Sequence, residues 1–346
     1  MPAVLRSFRK VDSVTMRYFG WFVVLSGVLL VFAGISGCRG PSESDSADVG
    51  ASVEVTPTEQ AALFKERGQA HLEAGEYNDA FVAFKRASEL VNDDYDIAWG
   101  MAQANTELRN DVEALDWVNL ALELRPESAE AMELEGRLFL RLGRNRDAIR
   151  VLKRTVEKHP DHTLAWLNLS AAYKVSGDMD KAVEAARGAS KADPESATPH
   201  FALGDIYVLD EKLDLAEQQY RAAIRKDPEH AGSYRRLANL YIVQKKDLDQ
   251  ARTWALKSDG IEAGDGTAAS AAAWVLFLQD KKFDAANEMA GAAEDHPQNY
   301  QIWMRLGEIL EDLGEDEKAE KARSTAAQFA PRIRSQPQDD FAAEDG

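Results

Sequence analysis

An alanine recurs at Ala80, Ala114, Ala148, Ala182 and Ala216, each 34 residues after the last. A proline keeps the same step at Pro126, Pro160, Pro194 and Pro228. A fixed period in this range belongs to one supersecondary unit stacked on copies of itself, since a single unit cannot bury its own apolar face. Such a chain grows by adding units, so its 346 residues need not divide into separate globular domains.

The clearest copies read Trp166-x-x-Leu169-Ser170-x-x-Tyr173 and Trp303-x-x-Leu306-Gly307-x-x-Leu310, continuing to Gly177 or Gly314, Ala182 or Ala319, Ala189 or Ala326, and Pro194 or Pro331. Large apolar residues at i, i+3 and i+7 make one stripe of a first helix. A small residue sits within the stripe at Gly68, Gly136, Gly204 and Gly307, where a larger one would overpack the approach of a neighbouring helix. Gly75, Gly143, Gly177 and Gly314 suit the left-handed position past a helix C-terminus. The periodic alanine, from Ala80 and Ala148 to Ala216 and Ala319, then lies where the second helix crosses the first. Proline closes each unit, because it cannot continue a helix but can open one. Tyr173 and Tyr207 fill the slot that follows the small residue.

This pattern resembles the tetratricopeptide repeat family, whose signature is W-x2-L-G-x2-Y, then A-x3-F, then P. The resemblance covers about residues 58–331 and implies an all-α, right-handed α-solenoid of about eight helix-turn-helix units. The units start near Ala61, Tyr95, Ala129, Thr163, Ala197, Ala231, Thr267 and Tyr300. Copy two is weak, with Ala102 and Asn105 in the small and tyrosine slots. One residue is inserted around Lys246, and no proline follows Ser258, so a looser joint is expected there. Thr56, Pro57 and Glu59 predict a capping box at the start of the array. Asp316 to Gln328 predicts a polar closing helix, and residues 332–346 a disordered tail.

The N-terminal residues 1–37 read as an address. Arg6, Arg9, Lys10 and Arg17 precede an uncharged run from Tyr18 to Ile35, which ends in Ile35-Ser36-Gly37-Cys38. A basic region, an apolar region and small residues at a cleavage site describe a secretory signal. The last four residues resemble the bacterial lipobox, which implies lipidation of Cys38, cleavage before it and acylation of the new amino group. The alternative is an uncleaved membrane helix, since the run is long enough to span and Tyr18 and Trp21 suit an interface. Either reading places the repeats outside the cytoplasm, membrane-anchored in a bacterial cell envelope and facing the periplasm. Arg39 stands where an aspartate would mark inner-membrane retention, which leans toward the outer membrane. Residues 38–57 are poor in apolar side chains and read as a tether; about twenty such residues span roughly 25 Å. With one cysteine, no intrachain disulfide framework is possible.

The formal charge is −18. A strongly acidic surface repels phosphate backbones, so nucleic acid is a poor partner. No GxSxG, GxGxxG, P-loop or HExxH motif occurs, and neither an enzyme nor a cofactor or metal is expected. His159-Pro160-Asp161-His162 reads as an inter-repeat turn, since Asp193-Pro194-Glu195 and Asp227-Pro228-Glu229 share its phase. His71 and His200 read as packing residues. Trp99, Trp166, Trp274 and Trp303 recur at or beside one slot and read as core.

In the family that the repeat resembles, the first helix of each unit lines a concave groove. Copies four to six would contribute Leu164, Leu167, Asn168, Val175, Phe201, Asp205, Val208, Leu209, Arg235, Arg236, Asn239, Ile242 and Val243. An apolar floor with a few polar and basic groups suits an extended segment or amphipathic helix of a protein partner. Leu167, Asn168, Phe201, Asp205, Arg235, Arg236 and Asn239 are the candidate groove residues. The carboxylate clamp of some members would need Arg235, Asn239 and Arg305 together with an asparagine where Ala272 stands, so it is not expected. The implied function is a membrane-tethered scaffold, possible roles being envelope assembly or secretion. Self-association, or service as the non-catalytic repeat domain of a larger enzymatic system, are the alternatives, and the oligomeric state is left open.

Overall fold

The computed structural model describes residues 56–330, and those residues form sixteen α-helices in eight pairs. The pairs are α1 (Pro57–Glu73) with α2 (Tyr77–Leu90), α3 (Tyr95–Glu107) with α4 (Asp111–Leu124), α5 (Ala129–Arg141) with α6 (Asn145–Lys158), and α7 (Thr163–Val175) with α8 (Met179–Ala192). They continue with α9 (Thr198–Leu209) and α10 (Leu213–Lys226), α11 (Ala231–Gln244) and α12 (Leu248–Ile261), α13 (Thr267–Leu278) and α14 (Lys282–Asp295), and α15 (Tyr300–Asp312) and α16 (Asp316–Phe329). Each helix packs on the next in chain order. Odd-numbered helices of successive pairs also touch, as α5 with α7 and α7 with α9, whereas even-numbered ones make no comparable contact. The odd helices therefore crowd the inner side of the curve and the even helices spread along its outer side. The result is an all-α solenoid. The Ile35–Cys38 motif, the 1–37 signal, residues 38–55 of the tether and the 332–346 tail lie outside the described residues.

All eight turns between paired helices share one geometry. The residue after the first helix's C-cap, or in α11 the cap itself, is left-handed: Gly75, Gly143, Gly177 and Gly314 as expected, but also Arg109, Glu211, Lys245 and Asp280. The next N–H reaches back five residues in every copy, as Asp178 N to Tyr173 O at 3.0 Å and Lys212 N to Tyr207 O at 2.9 Å. This is the Schellman closure of a helix, and its bonds hold four side-chain-bearing residues in a conformation that L-residues disfavour. The residue inserted at Lys246 lengthens this turn, so α12 starts one place late behind its N-cap Asp247.

The periodic alanines Ala80, Ala114, Ala148, Ala182 and Ala216 are completely buried, and Ala319 nearly so. Small and large residues trade places across each pair. A Cβ on Gly68, Gly136 or Gly204 would fall within 3 Å of Phe84, Leu152 or Tyr220 respectively. Where the small slot holds Ser170, the facing slot holds Ala186, and the Ser170 hydroxyl instead donates to Ala182 O at 2.8 Å. Gly307 is hemmed by the Arg323 stem. Trp166 and Trp303 repeat one contact: each indole N–H donates at 2.9 Å to the carbonyl of the proline six residues before it, Pro160 and Pro297. Buried Tyr207 lies in the central cluster, and Tyr173 bridges that cluster to its N-terminal neighbour.

The joint before α13 is not loosened. Trp254, Ala255, Ala271, Ala272 and Val275 belong to one buried cluster, because the alanine-rich α13 lets its neighbours close in. Ser258 donates to Ala231 O at 3.0 Å, and Asn299 Nδ2 to Asp265 O at 2.9 Å, so the joint is tied to the units on both sides. An ion-pair network sits between α10 and α11. Glu217 accepts from Tyr241 Oη at 2.7 Å, Arg221 Nε at 2.9 Å and Lys246 Nζ at 2.9 Å. Burial alone would raise its carboxyl, but these three donors outweigh it and bring it to about 2. At the N-terminal end, Thr56 and Glu59 form the expected reciprocal capping box.

Candidate functional site

On the concave side, α7, α9 and α11 present the same helical face in register, and the last residue or next-to-last of each is apolar. Val175, Leu209 and Val243 follow one another at 34-residue steps and are 64%, 58% and 78% exposed. In the unit's frame the same position holds Glu73, Glu107 and Arg141 earlier in the array, half-buried Leu278 in copy seven and Asp312 at its end. The exposed apolar strip is thus confined to copies four to six. Beside it, Lys174, Asp205, Val208, Leu209, Arg236 and Val243 line a cleft of about 330 Å³, with Asn239 on its wall.

Asp205 organises the floor. It accepts from Tyr220 Oη at 2.7 Å and pairs with Arg236 Nε at 2.9 Å. Burial, with the Asp205 carboxylate alongside, pushes the Tyr220 phenol up, so it stays a donor. The Arg236 guanidinium lies 5.8 Å from the Phe201 ring centroid. This arrangement presents one fixed carboxylate–guanidinium pair beside an apolar strip. It can orient a bound polypeptide but holds no nucleophile or base aligned for chemistry.

The seven groove candidates divide. Asp205, Arg236 and Asn239 meet in this cleft. Phe201 does not project as an anchor: it is half-buried against His230, centroids 5.0 Å apart, and against Tyr220 at 5.9 Å. Asn168 turns toward the N-terminal half, donating to Glu133 Oε1 at 2.5 Å. Arg235 is half-buried and acts electrostatically on Asp265 at the next joint. Leu167 is half-buried and lines none of the clefts described. Arg305 is engaged by Ser270 Oγ at 3.1 Å and by the Trp274 face at 5.4 Å, so it does not join Arg235 and Asn239 in a clamp.

Two other readings change. Trp99 and Trp274 do not share the slot of Trp166 and Trp303. Trp99, one position off in register, both packs on the core and lines a second cleft, and Trp274, five positions off, stacks under Arg305. His71 is half-buried and its Nδ1 lies 2.6 Å from the exposed Glu76 Oε2, with exposed Asp79 close by, so it sits at the surface rather than in the core. His162 and His230 are N-caps, accepting at Nδ1 from Ala165 and Ser233 N–H. Among the described residues no helix is long and apolar enough to cross a membrane.

Comparison with known proteins agrees with this architecture. The family model described as tetratricopeptide repeat matches residues 65–129, 134–197, 201–267 and 271–332, well over half of the chain. The interferon-induced protein with tetratricopeptide repeats 3 of Mus musculus is 29% identical over 122 residues, covering 34% of this chain and 30% of that protein, so under a third of the relative's length is matched. Among solved structures, the Cut9–Hcn1 hetero-tetramer of the APC/C aligns with a TM-score of 0.54 and 12% identity, over 74% of this chain and 50% of that one. The pilF protein of Pseudomonas aeruginosa aligns at 0.51 and 17%, over 61% of this chain and 96% of that one. At such identities the likeness to the solved structures is one of fold. With its eight helix pairs and the family match across them, the chain belongs to the tetratricopeptide repeat family.

Proposed function

We propose that this protein is a membrane-tethered scaffold of the bacterial cell envelope that holds a segment of another protein in its concave groove. The observation that carries the groove reading is the exposed strip Val175, Leu209 and Val243 beside the Asp205–Arg236 pair. Three large apolar side chains left in water at one repeat position are a contiguous patch rather than scattered exposure. Scaffolding is the common use of this repeat, and Cut9 itself is seen in a hetero-tetramer with Hcn1. A photo-reactive amino acid at position 209 or 243, crosslinked in cells, is expected to give a discrete adduct with a partner protein. The same group at Val82, an exposed site on an outer helix, is expected to give none. Adding Leu209→Glu to the position-243 probe should remove the adduct; identical products from all three sites would refute the groove.

The tether rests on Ile35-Ser36-Gly37-Cys38 and its basic, apolar approach. Two or more acyl chains anchor stably where one does not. Radiolabelled palmitate should enter the wild-type chain and not Cys38→Ser. Retention of label by the variant would exclude Cys38 as the anchor.

A further inference from the structure

Along the same concave wall, toward the N-terminus, the structure holds a second cleft of about 370 Å³. Its walls include Tyr77 and Trp99, and three carboxylates converge on it, from Glu107, Glu130 and Glu133. One guanidinium, Arg137, faces them, at 3.4 Å from Glu133 Oε1. Glu133 is only 6% exposed and is oriented by the Asn168 amide at 2.5 Å. Glu107 has no hydrogen bond or ion pair among the described residues, and Glu130 accepts only the Ser128 hydroxyl at 3.1 Å. His162, also on the wall, accepts the Ala165 N–H at Nδ1. Burial pushes the Glu133 carboxyl up against the pull of Arg137, which marks a site where a further cation would be welcome.

Resting on the groove reading above, we infer that the partner's segment places a lysine or arginine side chain in this cleft while its apolar side chains lie on Val175, Leu209 and Val243. A cation between carboxylates and an aromatic face gains both charge-assisted hydrogen bonds and attraction to the ring. The mid-array cleft has the opposite leaning, with Lys174 on its wall and Asp205 neutralised by Arg236. The two clefts therefore give the bound segment a direction, and the strongly acidic chain favours a basic partner over long range. Helix α7 sets the spacing, because Leu164 lines the acidic cleft and Lys174 the central one. Ten helical residues rise about 15 Å, which an extended strand spans in roughly five residues.

The test uses the full chain and fluorescent twelve-residue peptides carrying an adjacent Leu pair, with Lys, norleucine or Glu five positions away on either side. The Lys peptide of one polarity should bind about tenfold more tightly than its norleucine and Glu counterparts. That preference should fall to within about twofold in the Glu107→Gln, Glu130→Gln double variant, both exposed sites, and weaken with salt. Leu209→Glu should weaken every peptide. Binding of the Leu-pair peptides with no charge preference would overturn this inference and leave the groove reading standing. Failure of every peptide to bind, together with absent crosslinks from position 209, would overturn both.

Discussion

Tyr220→Ala is expected to lower stability by about 3–5 kcal/mol, the range for deleting a fully buried aromatic side chain. Tyr220 is 1% exposed in the central cluster, and its ring lies over Gly204. Gly204→Ala should cost about 1–3 kcal/mol by overpacking, since the new Cβ would stand 2.4 Å from the Tyr220 ring. The two changes should compensate each other. With the ring gone, a methyl at position 204 partly fills the vacated space, much as Ser170 faces Ala186 one repeat earlier. A favourable coupling of about 0.5–3 kcal/mol is expected for residues in direct contact. Repeat arrays need not unfold as one unit, so the loss is read from hydrogen exchange of α9 and α10 amides alongside urea unfolding. Additive effects would mean that the pair does not set the distance between these helices. Tyr220→Phe separates packing from the hydroxyl: it leaves Asp205 to Arg236 alone, removing a bond to a charged group worth about 1.5–3 kcal/mol.

How far the sequence exposed these relations depends on what a 34-residue period encodes. Period and residue size reveal the helix pairs, the buried alanines and the small slot at Gly68, Gly136 and Gly204, because packing repeats with the unit. They reveal the left-handed turn only where glycine stands. Arg109, Glu211, Lys245 and Asp280 adopt the same conformation, but their identity does not announce it, since the Schellman bonds are made by backbone. The groove was legible as a set of positions and less so as a set of roles. Asp205, Arg236 and Asn239 do converge, yet Phe201 is drawn in by His230, and Arg305 by Ser270 and Trp274. Those outcomes depend on side chains from a neighbouring repeat, which a within-repeat pattern cannot weigh. The apolar register of Val175, Leu209 and Val243 was available in the same 34-residue step. The acidic cleft was not, because Glu133 and Trp99 come from different units and meet only through the curvature.

The joint before α13 supplies the second large effect. At five of the seven joints a proline separates the units; the joint at residues 91–94 and this one have none, and here Gly266 enters α13 at φ +78°. Gly177 has a similar φ of +80° in an intra-repeat turn, and a Cβ there would meet nothing within 4 Å. Gly177→Ala should therefore show the backbone penalty by itself, about 1 kcal/mol once the entropy lost by glycine on folding is set against left-handed strain. Gly266→Ala adds a collision, since its Cβ would lie 2.4 Å from His296 Cδ2 and 2.9 Å from Ile302 Cδ1. Ile302 is completely buried in the last cluster and cannot swing aside. Overpacking of about 1–3 kcal/mol should be superimposed, making the total about 2–4 kcal/mol. His296→Ala in the Gly266→Ala background should recover part of that difference, while the same change beside Gly177→Ala should recover none. If Gly266→Ala proves no more harmful than Gly177→Ala, then α13 is not held against α15 through this glycine. The absence of proline would then leave the joint loose, as the sequence alone suggests, and the apolar strip and the last two repeats would not share one rigid wall.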